Sequence, residues 1–180
     1  GGFCSFRNNV NAQTNTWEVG NDQKCKFAGI VTSNDIFAKL GTGEMNVTGN
    51  WTSTGVVNIN AGSIRLGEGG ALGTGPLTVA ENASLTGISN TKVGLANSKI
   101  TINGTVQPGE SATATSGNIN FGGKNVTVSP TGKIVVGIRK SAADYVINNA
   151  YLKNIGTLKL EAGSTIGVVI SQRNMDKLTT

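Results

Sequence analysis

The stretch Val57-Asn58-Ile59-Asn60-Ala61-Gly62-Ser63-Ile64-Arg65-Leu66 decides how the chain folds. Val57 and Ile59 alternate with Asn58 and Asn60, and Ile64 and Leu66 alternate with Ser63 and Arg65. Each half is therefore a short strand with one apolar face. Ala61-Gly62 between them is a turn, because Gly accepts backbone conformations closed to other residues. The same order of small residue, turn and strand returns at Pro130-Thr131-Gly132-Lys133-Ile134 and at Ala162-Gly163-Ser164-Thr165-Ile166. Period-two apolar positions recur on both sides: Met45/Val47, Leu77/Val79, Ile100/Ile102, Ile119/Phe121, Val126/Val128, Ile134/Val136/Ile138, Leu158/Leu160 and Ile166/Val168/Ile170. Gly, Asn, Ser and Pro separate the runs. The only helical character lies near Ser141 to Tyr151, a stretch too short and too β-branched to be read as a helix.

Short strands of this kind build either a β-sandwich or a β-helix. A sandwich needs antiparallel hairpins, marked by Asn-Gly or Asp-Gly turns between longer strands. This chain has Asn103-Gly104 and no Asp-Gly, and its strands repeat to the end. The repetition favours three short strands per turn with like residues stacked on like. The expected fold is all-β, a single-stranded right-handed parallel β-helix. At roughly 20–24 residues per turn it makes about seven to nine turns. With strands about 4.8 Å apart, the rod is roughly 35–45 Å long. Residues 1–26 are read as a cap or first turn, 27–170 as a continuous β-helix, and 171–180 as a polar tail.

Composition narrows the function. Gly supplies 26 of the 180 residues, Pro three, and charged residues only 14%. Disorder requires high charge and few β-branched residues, so the chain is ordered. The net charge is +5, but Lys24/Lys26 and Arg139/Lys140 are the densest basic pairs, with no aromatic residues among them. That argues against nucleic acid, which needs a basic stripe with stacking rings. No apolar run reaches the length of about 20 residues that spans a bilayer, so no direct membrane insertion of this segment is expected. With no signal peptide at its start, the segment reads as mature, internal or truncated.

Residues 40–79 carry a family resemblance. Leu40-Gly41-Thr42-Gly43-Glu44-Met45-Asn46-Val47-Thr48-Gly49-Asn50-Trp51-Thr52-Ser53-Thr54-Gly55, then Val57 to Gly67 and Ala71-Leu72-Gly73-Thr74-Gly75-Pro76-Leu77-Thr78-Val79, resemble the passenger-associated repeat of bacterial autotransporters. Ile102-Asn103-Gly104-Thr105-Val106-Gln107-Pro108-Gly109 is similar to the passage by which such passengers leave the repeat. The likeness covers roughly residues 27 to 160. Met45-Asn46 and Trp51 depart from the family pattern, and the family's membrane-embedded barrel is not in this sequence. The resemblance implies a passenger segment at the bacterial cell surface, extracellular or anchored at the outer membrane. It implies a stalk or adhesin role, host surface proteins or glycans as partners, attachment to the remainder of a larger surface protein, and no catalytic residues.

The rival is a polysaccharide-active β-helix enzyme, a lyase or hydrolase. Such enzymes need clustered carboxylates, as general acid and base or as calcium ligands. No two of the ten acidic residues lie within three positions of each other. Glu44 and Glu68, about one turn apart, are the pair that stacking would bring together. With no His, a Ser-His-Asp triad and a zinc site are ruled out in practice. Gly67-Glu68-Gly69-Gly70-Ala71-Leu72-Gly73 has neither GxGxxG spacing nor the GK[ST] of a phosphate loop. The Asn-x-Ser/Thr triplets at Asn46, Asn82 and Asn103 arise by chance in so Asn- and Thr-rich a chain. The reading is no enzyme, no cofactor and no metal.

Four residues remain as candidates for special roles. Trp17 and Trp51 sit among polar neighbours, so each either stacks on a sugar from the rod's flank or packs against its own loop. Cys4 and Cys25, one turn apart, form either a disulfide in an exported protein or two buried thiols.

Overall fold

The computed structural model describes residues 4–9, 13–21, 23–67, 69–87, 91–92, 99–109, 117–140 and 147–170. Among them every regular element is a strand. The first, β1 (Cys4–Asn9), pairs antiparallel with β2 (Thr14–Val19), setting Cys4 opposite Val19. From β2 onward the strands fall into rungs. The first rung holds β2 and β3 (Lys24–Phe27), and the second β4 (Ile36–Leu40), β5 (Glu44–Val47) and β6 (Asn50–Trp51). The third has β7 (Val57–Ile59), β8 (Gly62–Leu66) and β9 (Ala71–Leu72), and the fourth β10 (Leu77–Val79), β11 (Ala83–Gly87) and β12 (Thr91–Lys92). In the fifth, β13 (Lys99–Ile102) and β14 (Thr105–Pro108) precede the start of β15 (Gly117–Val128). The rest of β15 opens the sixth, with β16 (Lys133–Lys140) and the start of β17 (Ile147–Leu160). The end of β17 and β18 (Thr165–Ile170) make the seventh.

From β4 to β9 each strand pairs in parallel with the strand three ahead. Three rows of strands result, and the first can be followed through the whole described chain. Asn15, Phe37, Val57, Leu77, Ile100, Val126 and Leu158 are successive register partners. In the second row the same holds for Cys25, Met45, Ile64, Leu85, Val106, Ile134 and Ile166. The chain is thus all-β with a mostly parallel sheet, an arrangement compatible with a β-solenoid. Antiparallel strand pairing occurs at β1–β2 and where residues 137–140 of β16 meet 147–150 of β17. The stretch considered for helix is strand from Ile147 on, and 141–146 lie outside the described residues.

Among the described residues the first row has seven members. Their steps are 22, 20, 20, 23, 26 and 32 residues, so the last two exceed the expected 20–24. The repeat of the first rungs is fixed by tight corners. At the end of the first row one backbone bond recurs: the amides of Asn60, Ala80, Asn103, Ser129 and Glu161 donate to the carbonyls of Lys39, Ile59, Val79, Ile102 and Val128, at 2.8–3.0 Å. Asn103-Gly104 is such a corner, joining β13 to β14 without pairing them. The repeated strings at Ala61, Pro130 and Ala162 are this same corner, each leading into the second row. Corner space is scarce: a Cβ on Gly75 would overlap the Gly55 carbonyl oxygen, and Gly62 holds φ +64°, a conformation that favours glycine.

Alternation along the strands sends Val57, Ile59, Ile64, Leu66, Leu77, Val79, Leu85, Ile100, Ile102 and Val106 inward, each buried. Fully burying such a side chain is worth about 1.5–3 kcal/mol, so stability accumulates rung by rung. The last rung departs from the expectation that its alternating residues are core. Leu158, Leu160, Ile166, Val168 and Ile170 continue the inner rows but are 42–57% exposed, because no further described strand covers them. Asn side chains bind rungs together outside the sheet. Asn34 Oδ1 accepts from Thr54 Oγ1 at 2.7 Å, and Asn154 Nδ2 donates to Asn120 Oδ1 at 2.9 Å. Residues 1–26, read as a cap or first turn, contain β1, β2 and all of β3 but Phe27. The expected tail, 171–180, lies outside the described residues.

Candidate functional site

The residues singled out in the sequence gather at the N-terminal end. Trp17 occupies an inner position of β2, in register with Lys39. Its ring lies 5.4 Å from Phe6 and 4.6 Å from Phe27, which in turn stands 5.7 Å from Trp51. Trp51 meets Phe37 at 4.6 Å. The two indoles therefore belong to one aromatic cluster running from the cap to the third row. Trp51 is 2% exposed and has no face open to a sugar, so its role is packing. Trp17 is half-buried, and neither indole Nε1 reaches solvent or a hydrogen-bond partner. The polar neighbours Asn50 and Thr52 point out while Trp51 points in, which is why the local sequence suggested a surface ring.

Cys4 and Cys25 are joined in a disulfide with Cα atoms 6.4 Å apart. The bond links β1, which lies along the first row, to β3 in the second. It therefore pins the one strand that runs against the parallel sense at this end.

Among the described residues the carboxylates do not gather into a cluster. Glu44 lies 3.8 Å from Lys24, its register partner on β3, and Glu161 lies 3.2 Å from Lys159. Glu68, the expected stacking partner of Glu44, lies outside the described residues. Among the described residues no three His, Cys, Asp or Glu side chains converge as a metal site would require.

Two buried cations were not anticipated. Lys39 takes an inner site in the first row, in register with Ile59, and is fully buried. Its Nζ donates to the carbonyls of Leu40 at 2.9 Å, Gly41 at 2.7 Å and Ala61 at 3.0 Å. All three ammonium protons are thereby used. Lys124, also fully buried, donates to the Gly75 carbonyl at 2.8 Å. Loss of hydration lowers the pKa of each to about 8. Closed off from solvent, neither is placed to act as a nucleophile. Superposing the repeat at Phe37–Lys39 on that at Val57–Ile59 would have revealed Lys39 as an inner residue, since it falls on Ile59.

No family model matches the chain, and no curated protein or solved structure is similar to it.

What remains as a functional surface is the outside of the sheet. Asn58, Thr78, Thr101 and Thr127 are successive partners on the outer face of the first row. Ser63, Ser84 and Thr105 do the same on the second, beside Arg65 and Thr86, whereas Gln107, the next partner of Thr86, is buried. Neighbouring rungs are about 4.8 Å apart, so hydroxyl and amide groups repeat at that interval along a flat flank. Such a ladder can offer many weak hydrogen bonds to an extended polar partner.

Proposed function

We propose that the chain winds as a right-handed parallel β-helix and serves as a non-catalytic stalk or passenger segment of an autotransporter-like bacterial surface or secreted protein, part of an adhesin. The observation that carries this reading is the unbroken register of the first row from Asn15 to Leu158. An architecture in which each rung contacts only its neighbours lengthens by duplication and suits a spacer. Seven rungs place the ends about 30 Å apart. The Cys4–Cys25 disulfide supports an oxidising destination such as the cell exterior. The outer row of Asn58, Thr78, Thr101 and Thr127 is the adhesive flank in this reading, with a host glycan or surface protein as partner.

The test is a screen of the purified chain against extracellular-matrix proteins, mucins and bacterial polysaccharides, with released sugar measured in the same wells. Saturable binding without release, weakened by charge at Thr78 and Thr101, is expected of the adhesive flank. Absence of binding leaves the spacer role, whereas release of sugar would overturn the non-catalytic reading in favour of a polysaccharide lyase or hydrolase.

A further inference from the structure

At the corner between β4 and β5 three backbone carbonyls converge on one buried point. The oxygens of Leu40, Gly41 and Ala61 lie 2.9, 2.7 and 3.0 Å from the Lys39 ammonium, two from its own rung and one from the next. The backbone that aims them has little freedom. Gly41 holds φ +72° and Gly62 φ +64°, conformations that favour glycine. A Cβ on Gly41 would strike the Val19 carbonyl oxygen, and one on Gly62 would strike those of Gly43 and Gly41. The cage is therefore built by stacked corner backbone. Lys39 enters it from an inner position of β4, with Trp17 and Ile59 as register partners, and is closed off from solvent.

We propose that this corner is a binding site for a monovalent cation of the ammonium or potassium class, and that Lys39 is its built-in occupant. Distances of 2.7–3.0 Å exceed the roughly 2.3–2.6 Å that calcium takes and the roughly 2.0–2.1 Å of magnesium. Three carbonyls also carry no formal charge to offset a divalent ion. Backbone carbonyls do replace the hydration shell of potassium in channel filters, so oxygens that converge on one point serve a bare ion as well as an ammonium. Burial lowers the Lys39 pKa to about 8, and at neutral pH the occupant is still a cation. Because it is tethered, it fills the cage without the loss of translational freedom that a free ion incurs. Lys39→Ala removes the side chain beyond Cβ, and the excised piece corresponds to n-propylammonium. Potassium and ammonium would then seat where Nζ stands, while n-propylammonium would also refill the path of the stem.

The experiment follows unfolding of the wild type, Lys39→Ala and Lys39→Met by circular dichroism at neutral pH and constant ionic strength. Tetramethylammonium chloride, whose cation has no N–H and is bulkier than ammonium, is replaced stepwise by potassium, ammonium or n-propylammonium chloride. Each should stabilise Lys39→Ala, raising its folding equilibrium constant about tenfold once the cation stands roughly ninefold above its dissociation constant. The wild type, with its cage full, and Lys39→Met, with its stem in place, should not respond. If Lys39→Ala is unfolded in tetramethylammonium, the three cations should restore its strand spectrum. Failure of all three to stabilise or refold Lys39→Ala, while Lys39→Met folds, would overturn the proposal. Equal gains in the wild type would overturn it as well, since they mark a general salt effect. So would a gain from n-propylammonium that neutral n-propanol matches and potassium and ammonium lack, because filling an apolar cavity explains that result.

Discussion

The side-chain nitrogen of Lys39 lies 3.0 Å from the carbonyl oxygen of Ala61, on the following rung. With the Leu40 and Gly41 carbonyls it fills the ammonium's donors, so a charge stands among the apolar residues of the first inner row without an unmet hydrogen bond. Replacing it by Lys39→Met keeps the length and apolar stem but leaves three carbonyls without this donor. Orphaned buried polar groups cost about 1–3 kcal/mol each before relaxation, while removing a desolvated charge repays part of that. The expected net loss at pH 7.5 is about 1–3 kcal/mol in denaturant unfolding.

That loss should grow with pH. Lys39 titrates at about 8 when folded and at 10.5 as a free side chain, so between those values the unfolded chain holds the extra proton. Stability from this group therefore rises with pH across that window and is flat above it. The wild-type chain should gain about 2 kcal/mol over Lys39→Met between pH 7.5 and 10. An unfolding difference that stays constant over that range would show that the buried ammonium is not destabilised by desolvation.

Trp51→Ala tests packing against sugar recognition. The ring is buried between Phe27 and Phe37, and truncating a buried aromatic costs about 3–5 kcal/mol. A large fall in melting temperature is expected. A variant that melts as the wild type does, yet loses glycan binding, would return Trp51 to the surface role.

The sequence is legible where strands are long enough to alternate. Met45/Val47, Val57/Ile59 and Ile64/Leu66 announce their inner face, and the Ala61, Pro130 and Ala162 strings mark one recurring corner. Trp51 misleads because β6 is two residues long and offers no alternation to read. Lys39 is hidden for another reason: its chemistry contradicts its position, and only carbonyls from two rungs make that position tolerable. Leu160 and Ile166 show a third limit. Their face is correctly read, but burial there depends on a neighbouring rung rather than on local sequence.

Corner crowding gives a sharp contrast between two glycines. Gly75→Ala would drive a Cβ into the Gly55 carbonyl oxygen, and because that atom is backbone the rung itself must shift, at about 1–3 kcal/mol or more. A Cβ on Gly69 would come no nearer than 3.9 Å to the Thr48 carbonyl oxygen, an ordinary contact, and φ there is +79°, so Gly69→Ala meets mainly conformational strain of about 1–2 kcal/mol. Thermal unfolding of both variants should rank Gly75→Ala as clearly the more damaging. The reverse order would mean that neighbouring rungs separate more easily than their stacked corners imply.

The disulfide should stabilise one end and not the whole. Closing a loop between residues 21 apart restricts the unfolded chain by about 3 kcal/mol in the entropic account. In an architecture of nearest-neighbour contacts, however, that restriction acts on the rung it closes. Cys4→Ser/Cys25→Ser should therefore accelerate amide exchange in β1, β2 and β3 by one to two orders of magnitude, about 1.4 kcal/mol for each tenfold. Amides of β10, β11 and β13 have rungs on both sides and should keep their protection. Uniform loss of protection along the chain would mean that the rungs unfold as one cooperative unit, and that the end strand contributes to the stability of all of them.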